Sequence, residues 1–186
     1  MNDATLEREL RDVLAGADCL HDAEAVQAAV ERLAAGINPH YAGRCPLVLV
    51  VMNGGLLPAG WLLPKFEFLF ELDYIHATRY RGSTIGQELH WLAKPHKPLQ
   101  GRDVLLVDDI LDEGVTLREI VSFCTAEGAR SIRTAVLVQK DLGRPAALEA
   151  DHVGLMVENR YVFGCGMDYR EYFRHLPALF ALGREK

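Results

Sequence analysis

The sequence predicts an α/β protein built on a twisted, mainly parallel β-sheet that is flanked by helices. Two short apolar runs, at residues 47–52 and 104–107, are continuous, as is typical of strands buried on both faces of a parallel sheet. The second run is followed by a helical pattern at 117–127, which Gly128 closes, and by a third apolar run at 132–138. Strand, helix and strand in succession indicate parallel strands joined by right-handed crossovers.

The first third of the chain supplies three more helices. Apolar residues at helical spacing over residues 1–40 indicate two amphipathic helices, which we expect to end near Gly36 and Pro39 and to pack against the sheet. A short helix is predicted at 56–63, where Pro58 is tolerated because it falls in the first turn.

The other segments have weaker patterns. Residues 68–76 are predicted to form a strand, and the polar segment 78–98 a long hairpin or a mobile loop. Shorter strands are expected at 153–157 and 161–165. The aromatic-rich tail at 168–179 shows neither helical nor strand periodicity, so its secondary structure is not predicted.

Composition favours one domain in a reducing compartment. A chain of 186 residues, of which 49% are apolar, can bury one sizeable core. The formal net charge of −6 argues against a nucleic-acid partner, which needs a basic surface. The four cysteines and seven histidines show no metal-ligand spacing, and no apolar run is long enough to span a membrane. We therefore expect a cytoplasmic protein without a signal peptide, a membrane segment or a nucleic-acid partner.

The strongest chemical signal lies where the second buried strand ends. Its apolar residues lead directly into Asp108 and Asp109, which places two carboxylates at the carboxyl edge of the sheet, where open α/β folds bind ligands. Residues 112–116 then lead into a helix, so their backbone N–H groups can converge on an anion, and Gly114 allows a close approach. This arrangement suits a ribose whose hydroxyls bind the carboxylates and whose 5′-phosphate lies in the turn. Alternatively, the acidic residues only complement the helix dipole, an effect of about 0.3–1 kcal/mol per charge.

The same residues resemble a known family. Two aspartates, two apolar residues, Asp112 and the turn Glu113-Gly114-Val115-Thr116 resemble the motif with which type I phosphoribosyltransferases bind phosphoribosyl pyrophosphate (PRPP). Residues 52–55 look like that family's pyrophosphate loop, and 138–141 look like its strand end with a purine-contacting lysine. Residues 157–177 are similar to the purine-binding segment of hypoxanthine-guanine phosphoribosyltransferases. The resemblance covers about residues 45–180.

The resemblance also implies a domain organisation and partners. One phosphoribosyltransferase domain would span residues 1–186, with a core at about 45–157 and a small hood from about 1–40 and 158–186. The implied substrates are PRPP and a 6-oxopurine base, the implied cofactor is Mg²⁺, and the implied assembly is a homodimer or homotetramer.

The PRPP side of the site takes its expected roles from this resemblance. Asp108 and Asp109 would hold the ribose diol, directly or through Mg²⁺, and Asp112 would be the general acid/base near purine N7. Pyrophosphate would contact Asn53, Gly54 and Arg174. The 5′-phosphate would be bound by Glu113, Gly114, Val115 and Thr116.

The purine side is implied in the same way. Lys140 would donate to the exocyclic O6, Tyr161 would stack on the ring, and the Val162 backbone would read the base edge. Asp168 would lie at the purine and join Asp108 and Asp109 around Mg²⁺. A mobile lid containing Arg79 and Tyr80 would close over the site and exclude water.

Three positions depart from the family pattern. Asn53 stands where the pyrophosphate loop usually has lysine, and Arg79-Tyr80, followed by Arg81, stands where the lid usually has Ser-Tyr. These arginines could restore the positive charge that Asn53 lacks. Glu113 replaces a threonine beside the phosphate, so we expect its side chain to point to solvent.

The sequence thus predicts a purine salvage phosphoribosyltransferase that converts hypoxanthine or guanine, with PRPP, to IMP or GMP. Two alternatives stay open at this point. One is a xanthine-preferring or other base-specific enzyme of the family, and the other is a nucleotide-sensing regulatory or scaffold protein on the same fold.

Overall fold

The structure, a computed structural model, describes residues 3–79 and 89–183, without the side chain of Arg79. Its helices are α1 (Asp3–Ala15), α2 (Ala23–Tyr41), α3 (Leu56–Leu62) and α4 (Val115–Ala126), with one 3₁₀ turn at Leu63–Lys65. Its strands are β1 (Asp18–His21), β2 (Leu47–Met52), β3 (Glu71–Arg79), β4 (Leu89–Ala93), β5 (Asp103–Leu111), β6 (Ser131–Asp141), β7 (His152–Glu158), β8 (Val162–Phe163) and β9 (Leu179–Ala181).

A six-stranded sheet forms the centre of the protein. Its strand order is β4-β3-β2-β5-β6-β7, and every neighbouring pair is parallel except β3 with β4. The helix α4 covers one face, while α2 and α3 cover the other. The predicted α/β class, with a mainly parallel sheet flanked by helices, is therefore confirmed. Among the described residues, no helix is both long and apolar enough to cross a bilayer.

The helix α2 is longer than the sequence predicted, because tertiary packing outweighs its helix-breaking residues. It continues through Gly36 and Pro39 and ends at Tyr41. Its buried stripe runs on at helical spacing to Ile37 and Tyr41, both fully buried, and the Tyr41 hydroxyl donates to the Val104 carbonyl at 3.3 Å. By contrast, α1 buries no residue, so only the second of the two predicted amphipathic helices packs on the sheet.

Several boundaries also differ from the sequence prediction. The strand predicted at 68–76 is β3, which begins at Glu71 and runs to Arg79. The strand predicted at 161–165 shortens to two residues, because Gly164 leaves extended geometry with φ of 93°. The polar segment 78–98 contains β4, which pairs antiparallel with β3, but residues 80–88 lie outside the described chain.

A small sheet joins the two ends of the chain. It consists of β1, β9 and β8 in that order, all antiparallel, and the sequence predicted neither β1 nor β9. Arg160 reinforces it by donating to the Leu182 carbonyl and to the Asp18 carboxylate. The C-terminal segment (residues 164–178) is the irregular chain between β8 and β9, and the small sheet fixes both of its ends.

At the opposite end of the central sheet, Asp103 anchors the start of β5. Its side chain is 3% exposed and accepts hydrogen bonds from Arg130 Nε at 2.9 Å and Ser131 Oγ at 2.7 Å. The hydrogen bonds from Arg130 lower the pKa of Asp103 to about 2. The carboxylate thus ties β5 to the beginning of β6.

We predict that Asp103→Asn lowers the free energy of unfolding by about 2 kcal/mol, because the charge-assisted hydrogen bonds that a buried carboxylate accepts are lost. Since the folded-state pKa is depressed from 3.8 to about 2, this stabilisation is present above pH 3.8 and disappears as the pH falls towards 2. Urea unfolding at pH 7 measures the effect. Glu119→Gln, which removes only an exposed ion pair with Arg118, is the control; equal losses in both variants would contradict the prediction.

Candidate active site

A cavity of ≈ 910 Å³ opens at the carboxyl edge of the central sheet, where the parallel strands β2, β3 and β5 end. Most of the predicted site residues line it: Asn53, Gly54, Asp108, Asp109, Asp112, Glu113, Gly114, Thr116, Tyr161, Asp168 and Arg174. Three predicted residues, Val115, Lys140 and Val162, are not part of the lining. The predicted lid cannot be located, because Tyr80 and the side chain of Arg79 lie outside the described residues.

The floor of the cavity is formed by two adjacent buried carboxylates. Asp108 and Asp109 are each 9% exposed, although they lie within β5, directly after the four apolar residues 104–107. Asp108 accepts a hydrogen bond from the Asp109 N–H at 2.9 Å, and Asp109 accepts one from the Ile110 N–H at 2.8 Å. Burial raises the pKa of both groups, and the neighbouring Asp109 charge raises the pKa of Asp108 further. Such a pair favours ligands that bring a cation or hydroxyl donors.

Two glycines allow the loop after β2 to touch this carboxylate pair. A Cβ atom added to Gly54 would lie 1.9 Å from Asp109 Oδ2, and one on Gly55 would lie 2.7 Å from the Val107 carbonyl oxygen. The peptide between Met52 and Asn53 is cis. The backbone of the loop and the carboxylate therefore share one wall of the cavity, which no larger residue at position 54 would allow.

The turn before α4 has the geometry of an anion site. Gly114 adopts φ of 78° immediately before α4 begins, and both Gly114 and Thr116 line the cavity. The adjacent Glu113 is 49% exposed and lies 3.5 Å from Arg144, measured from Oε1 to Nη2. Its carboxylate is thus directed at an arginine of the β6–β7 connection. This pairing reduces the repulsion that a bound phosphate would experience.

Lys140 reaches the site through an ion pair. It lies near the end of β6, is 12% exposed, and donates from Nζ to Asp112 Oδ2 at 2.8 Å. Asp112 itself lines the cavity. The two residues were predicted to bind neighbouring atoms of a purine, O6 and N7, and the contact between them is compatible with both roles.

The C-terminal segment forms the remaining wall. Arg174 donates to the Gly166 carbonyl at 2.9 Å and lies 2.7 Å from Asp168 Oδ1. Asp168 also accepts from the Glu171 N–H at 2.8 Å, and its carbonyl accepts from the Tyr161 hydroxyl at 3.1 Å. The carboxylate of Asp168, predicted as a metal ligand, is therefore engaged by Arg174.

The backbone of this segment is unusually constrained. Four non-glycine residues have positive φ, namely Cys165, Arg170, Glu171 and Phe173. Such conformations cost energy and persist where surrounding packing enforces them, often at functional sites. Here the rings of Phe163, Phe173 and Phe180 supply that packing, with centroids 5.3 to 5.7 Å apart.

Sequence reasoning missed four polar lining residues: His76, Thr78, Arg170 and Glu171. The first two could have been found, because β3 is parallel to β2 and ends at the same edge. The other two lie inside the segment that matched the family. No pattern at the sequence level distinguishes them from surface residues there.

Acidic groups dominate the lining. Among its described residues, six carry carboxylates (Asp108, Asp109, Asp112, Glu113, Asp168, Glu171) and two carry guanidinium groups (Arg170, Arg174). Mg²⁺ prefers oxygen ligands and commonly takes one or two carboxylates together with substrate phosphates, so this donor set fits it. Within residues 3–79 and 89–183, no three His, Cys, Asp or Glu side chains form a metal-binding group.

The fold and the site define a phosphoribosyltransferase. Residues 16–170 match the family model described as the phosphoribosyl transferase domain, and the chain belongs to this family. It is 32% identical to the hypoxanthine-guanine phosphoribosyltransferase of Bacillus subtilis over 160 residues, which cover 86% of this chain and 89% of that protein.

Two further proteins are similar to this chain. The bifunctional protein TilS/HprT of Listeria innocua is 34% identical over 161 residues, and the match covers 86% of this chain. The chain spans only 25% of the length of that protein. A crystal structure of a hypoxanthine phosphoribosyltransferase from Staphylococcus aureus superposes with a TM-score of 0.83 at 26% identity, covering 89% of this chain and 90% of that chain.

We predict that Gly54→Ala lowers transferase turnover at least about 100-fold, because its Cβ would displace the Asp109 carboxylate and misplaced groups reduce rates on this scale. Gly60→Ala is the matched control, since a Cβ there meets no atom within 4 Å. In the helix α3, alanine at position 60 should leave turnover unchanged and raise stability by about 0.5–1 kcal/mol. Equal turnover of the two variants, measured on folded protein, would contradict the role of Gly54.

Proposed function

We propose that this protein is a purine salvage phosphoribosyltransferase, which transfers ribose 5-phosphate from PRPP to hypoxanthine or guanine and releases pyrophosphate. The observation that carries the proposal is the Lys140–Asp112 ion pair, whose Asp112 lines the same cavity as the buried Asp108–Asp109 pair. The first pair has the donor and acceptor that a 6-oxopurine needs, and the second suits a ribose. The names of the relatives support the same reading.

The buried pair accounts for the sugar chemistry. Asp108 and Asp109 can accept hydrogen bonds from the two ribose hydroxyls, which satisfies carboxylates whose burial would otherwise be costly. The C1′–O bond to pyrophosphate breaks with its electron pair leaving on pyrophosphate, and the sugar carbon becomes positively charged. Nearby fixed carboxylates stabilise that charge in a low-dielectric site.

The ion pair accounts for the choice of base. As purine N9 forms its bond to C1′, the proton of the ring must leave, and Asp112 is the acceptor that we assign at N7. The Lys140 ammonium donates only, so it favours an O6 carbonyl and disfavours the amino group of adenine. Tyr161, which is 49% exposed at the mouth of the site, offers its ring for stacking, with the Val162 backbone at the base edge.

We assign the two anionic ends of PRPP to two segments of the cavity wall, the turn before α4 and the loop after β2. We place the 5′-phosphate in the turn that contains Gly114, Val115 and Thr116, and the pyrophosphate at the loop that contains Asn53 and Gly54, with Arg174. Mg²⁺, when bound with PRPP, would neutralise pyrophosphate charge and be held by substrate oxygens together with one or two carboxylates from Asp108, Asp109 and Asp168. The excess of carboxylates in the lining supports this requirement for a cation.

The domain organisation and assembly belong to the same proposal. One domain would span residues 1–186, with the core at about 45–157 and a hood that includes the small sheet and the C-terminal segment. All four cysteines are unpaired, which supports a cytoplasmic setting. Leu72 and Tyr74 on β3 are 48% and 40% exposed, which supports a homodimer or homotetramer, and light scattering would measure its mass.

The deciding experiment is a panel of bases. Purified protein with PRPP and Mg²⁺ is given hypoxanthine, guanine, xanthine, adenine or orotate, and nucleotide and pyrophosphate are measured. Turnover with hypoxanthine or guanine, and little with adenine, is expected. Preference for xanthine would change the base assignment, and binding of PRPP without any turnover would favour a regulatory protein.

We predict that Asp112→Asn lowers kcat by about 10²- to 10⁴-fold, the usual contribution of general acid/base catalysis, because an amide cannot accept the purine proton. Binding of PRPP, followed by calorimetry, should change little, since Asp112 is not assigned to the sugar or phosphates. Asp141→Asn is the control, because Asp141 is exposed, is adjacent to Lys140 and lies outside the lining. Full turnover of Asp112→Asn would remove Asp112 as the acid/base.

A further inference from the structure

Arg170 is a cation of the cavity to which the proposed mechanism gives no role. It belongs to the C-terminal segment, lines the cavity, and is 61% exposed. Its Nη1 lies 2.7 Å from Glu9 Oε1, and its guanidinium carbon lies 5.4 Å from the ring centroid of Tyr169. With φ of 50°, it occupies a backbone conformation that is costly for a residue with a side chain.

The partner of Arg170 can readily be exchanged. Glu9 lies on α1, which buries no residue, and the Glu9 side chain is 38% exposed. Exposed ion pairs of this kind contribute little to stability, so a doubly charged anion can replace Glu9 at small cost.

The other cationic residue of the described lining is already engaged. Arg174 binds the Gly166 carbonyl, Asp168 and Glu171, all within its own segment. Two of these partners, Asp168 and Glu171, are carboxylates, and the charge of Arg174 also partly offsets the rise in the pKa of Asp109. Arg170, by contrast, has its carboxylate partner, Glu9, on α1, outside the C-terminal segment.

The location of the segment favours pyrophosphate as the anion. A Cβ on Gly166 would lie 2.1 Å from the Gly54 carbonyl oxygen, so the C-terminal segment touches the loop that contains Asn53. This loop has no cationic side chain of its own at residues 52–55. The 5′-phosphate turn is instead packed by the β6–β7 connection, where the Ala147 N–H donates to the Glu113 carbonyl at 2.8 Å.

We propose that Arg170 binds the pyrophosphate group of PRPP and releases Glu9 when it does so. The inference rests on the proposed transferase function and adds a binding residue to it. A planar guanidinium can bind two phosphate oxygens at once, which supplies the positive charge that Asn53 does not. Glu9 competes with pyrophosphate for the same guanidinium.

Calorimetric titration with magnesium pyrophosphate tests the assignment without requiring turnover. Arg170→Ala should weaken pyrophosphate binding about tenfold, as expected for loss of one charge-assisted contact. Arg170→Lys should lie between this variant and the wild type, because lysine keeps the charge but not the two-pronged contact. Glu9→Gln should strengthen pyrophosphate binding, since it removes the competing carboxylate.

Titration with IMP separates a direct role from a structural one. IMP carries the base and the 5′-phosphate but no pyrophosphate, so Arg170→Ala should change its affinity by less than about twofold. The control is Arg11→Ala. It breaks an exposed ion pair with Glu7 on α1, the helix that also carries Glu9, and should leave both titrations unchanged.

Three outcomes would overturn the proposal: unchanged pyrophosphate affinity in Arg170→Ala, equal weakening of IMP and pyrophosphate, or weaker pyrophosphate binding in Glu9→Gln. Failure of the transferase function looks different, because the wild type itself would then turn over no base. If only the assignment of Arg170 is wrong, the wild type stays active and Arg170→Ala matches it in KM for PRPP.

Discussion

The site depends on one physical constraint, the burial of two adjacent carboxylates near the carboxyl end of the central strand β5. Asp108 and Asp109 are nearly inaccessible, and burial raises the pKa of both. The strand β5 can carry this cost because it lies between two parallel neighbours and has an apolar layer on each face. The packed core thus keeps the two carboxylates largely out of water, at a position where they can interact with a substrate.

The close contacts around the pair follow from the same constraint. Gly54 is needed because the Asp109 carboxylate occupies the space that a side chain would fill, and Gly166 is needed because the C-terminal segment rests on the Gly54 carbonyl. The buried carboxylate pair, the loop after β2 and the C-terminal segment are therefore in close contact. The residues with positive φ other than glycine are found in this same segment, at 165–173, where close packing can hold a costly backbone conformation.

The sequence predicted the elements with strong local patterns and missed those that depend on tertiary contacts. Strands such as β2 and β5 were found because burial on both faces gives a continuous apolar run, and the acidic strand end was found because charge after such a run is rare. The strands β1 and β9 have three or four residues, too few to show a period, and they pair only after the ends of the chain meet. The end of α2 was missed because Tyr41 reaches the core through tertiary contacts that local propensity does not report.

The distribution of charge links the C-terminal segment to the proposed anion binding. Residues 52–55, in the loop after β2, carry no cationic side chain, and six carboxylates line the same cavity. Under the proposed assignment, the cations that pyrophosphate needs would come from Mg²⁺ and from the C-terminal segment, whose two ends are held by the small sheet. Affinity for pyrophosphate would then depend on how firmly this segment is held. In a site whose loop carries its own lysine, that dependence would be weaker, because the cation would be fixed to the central sheet.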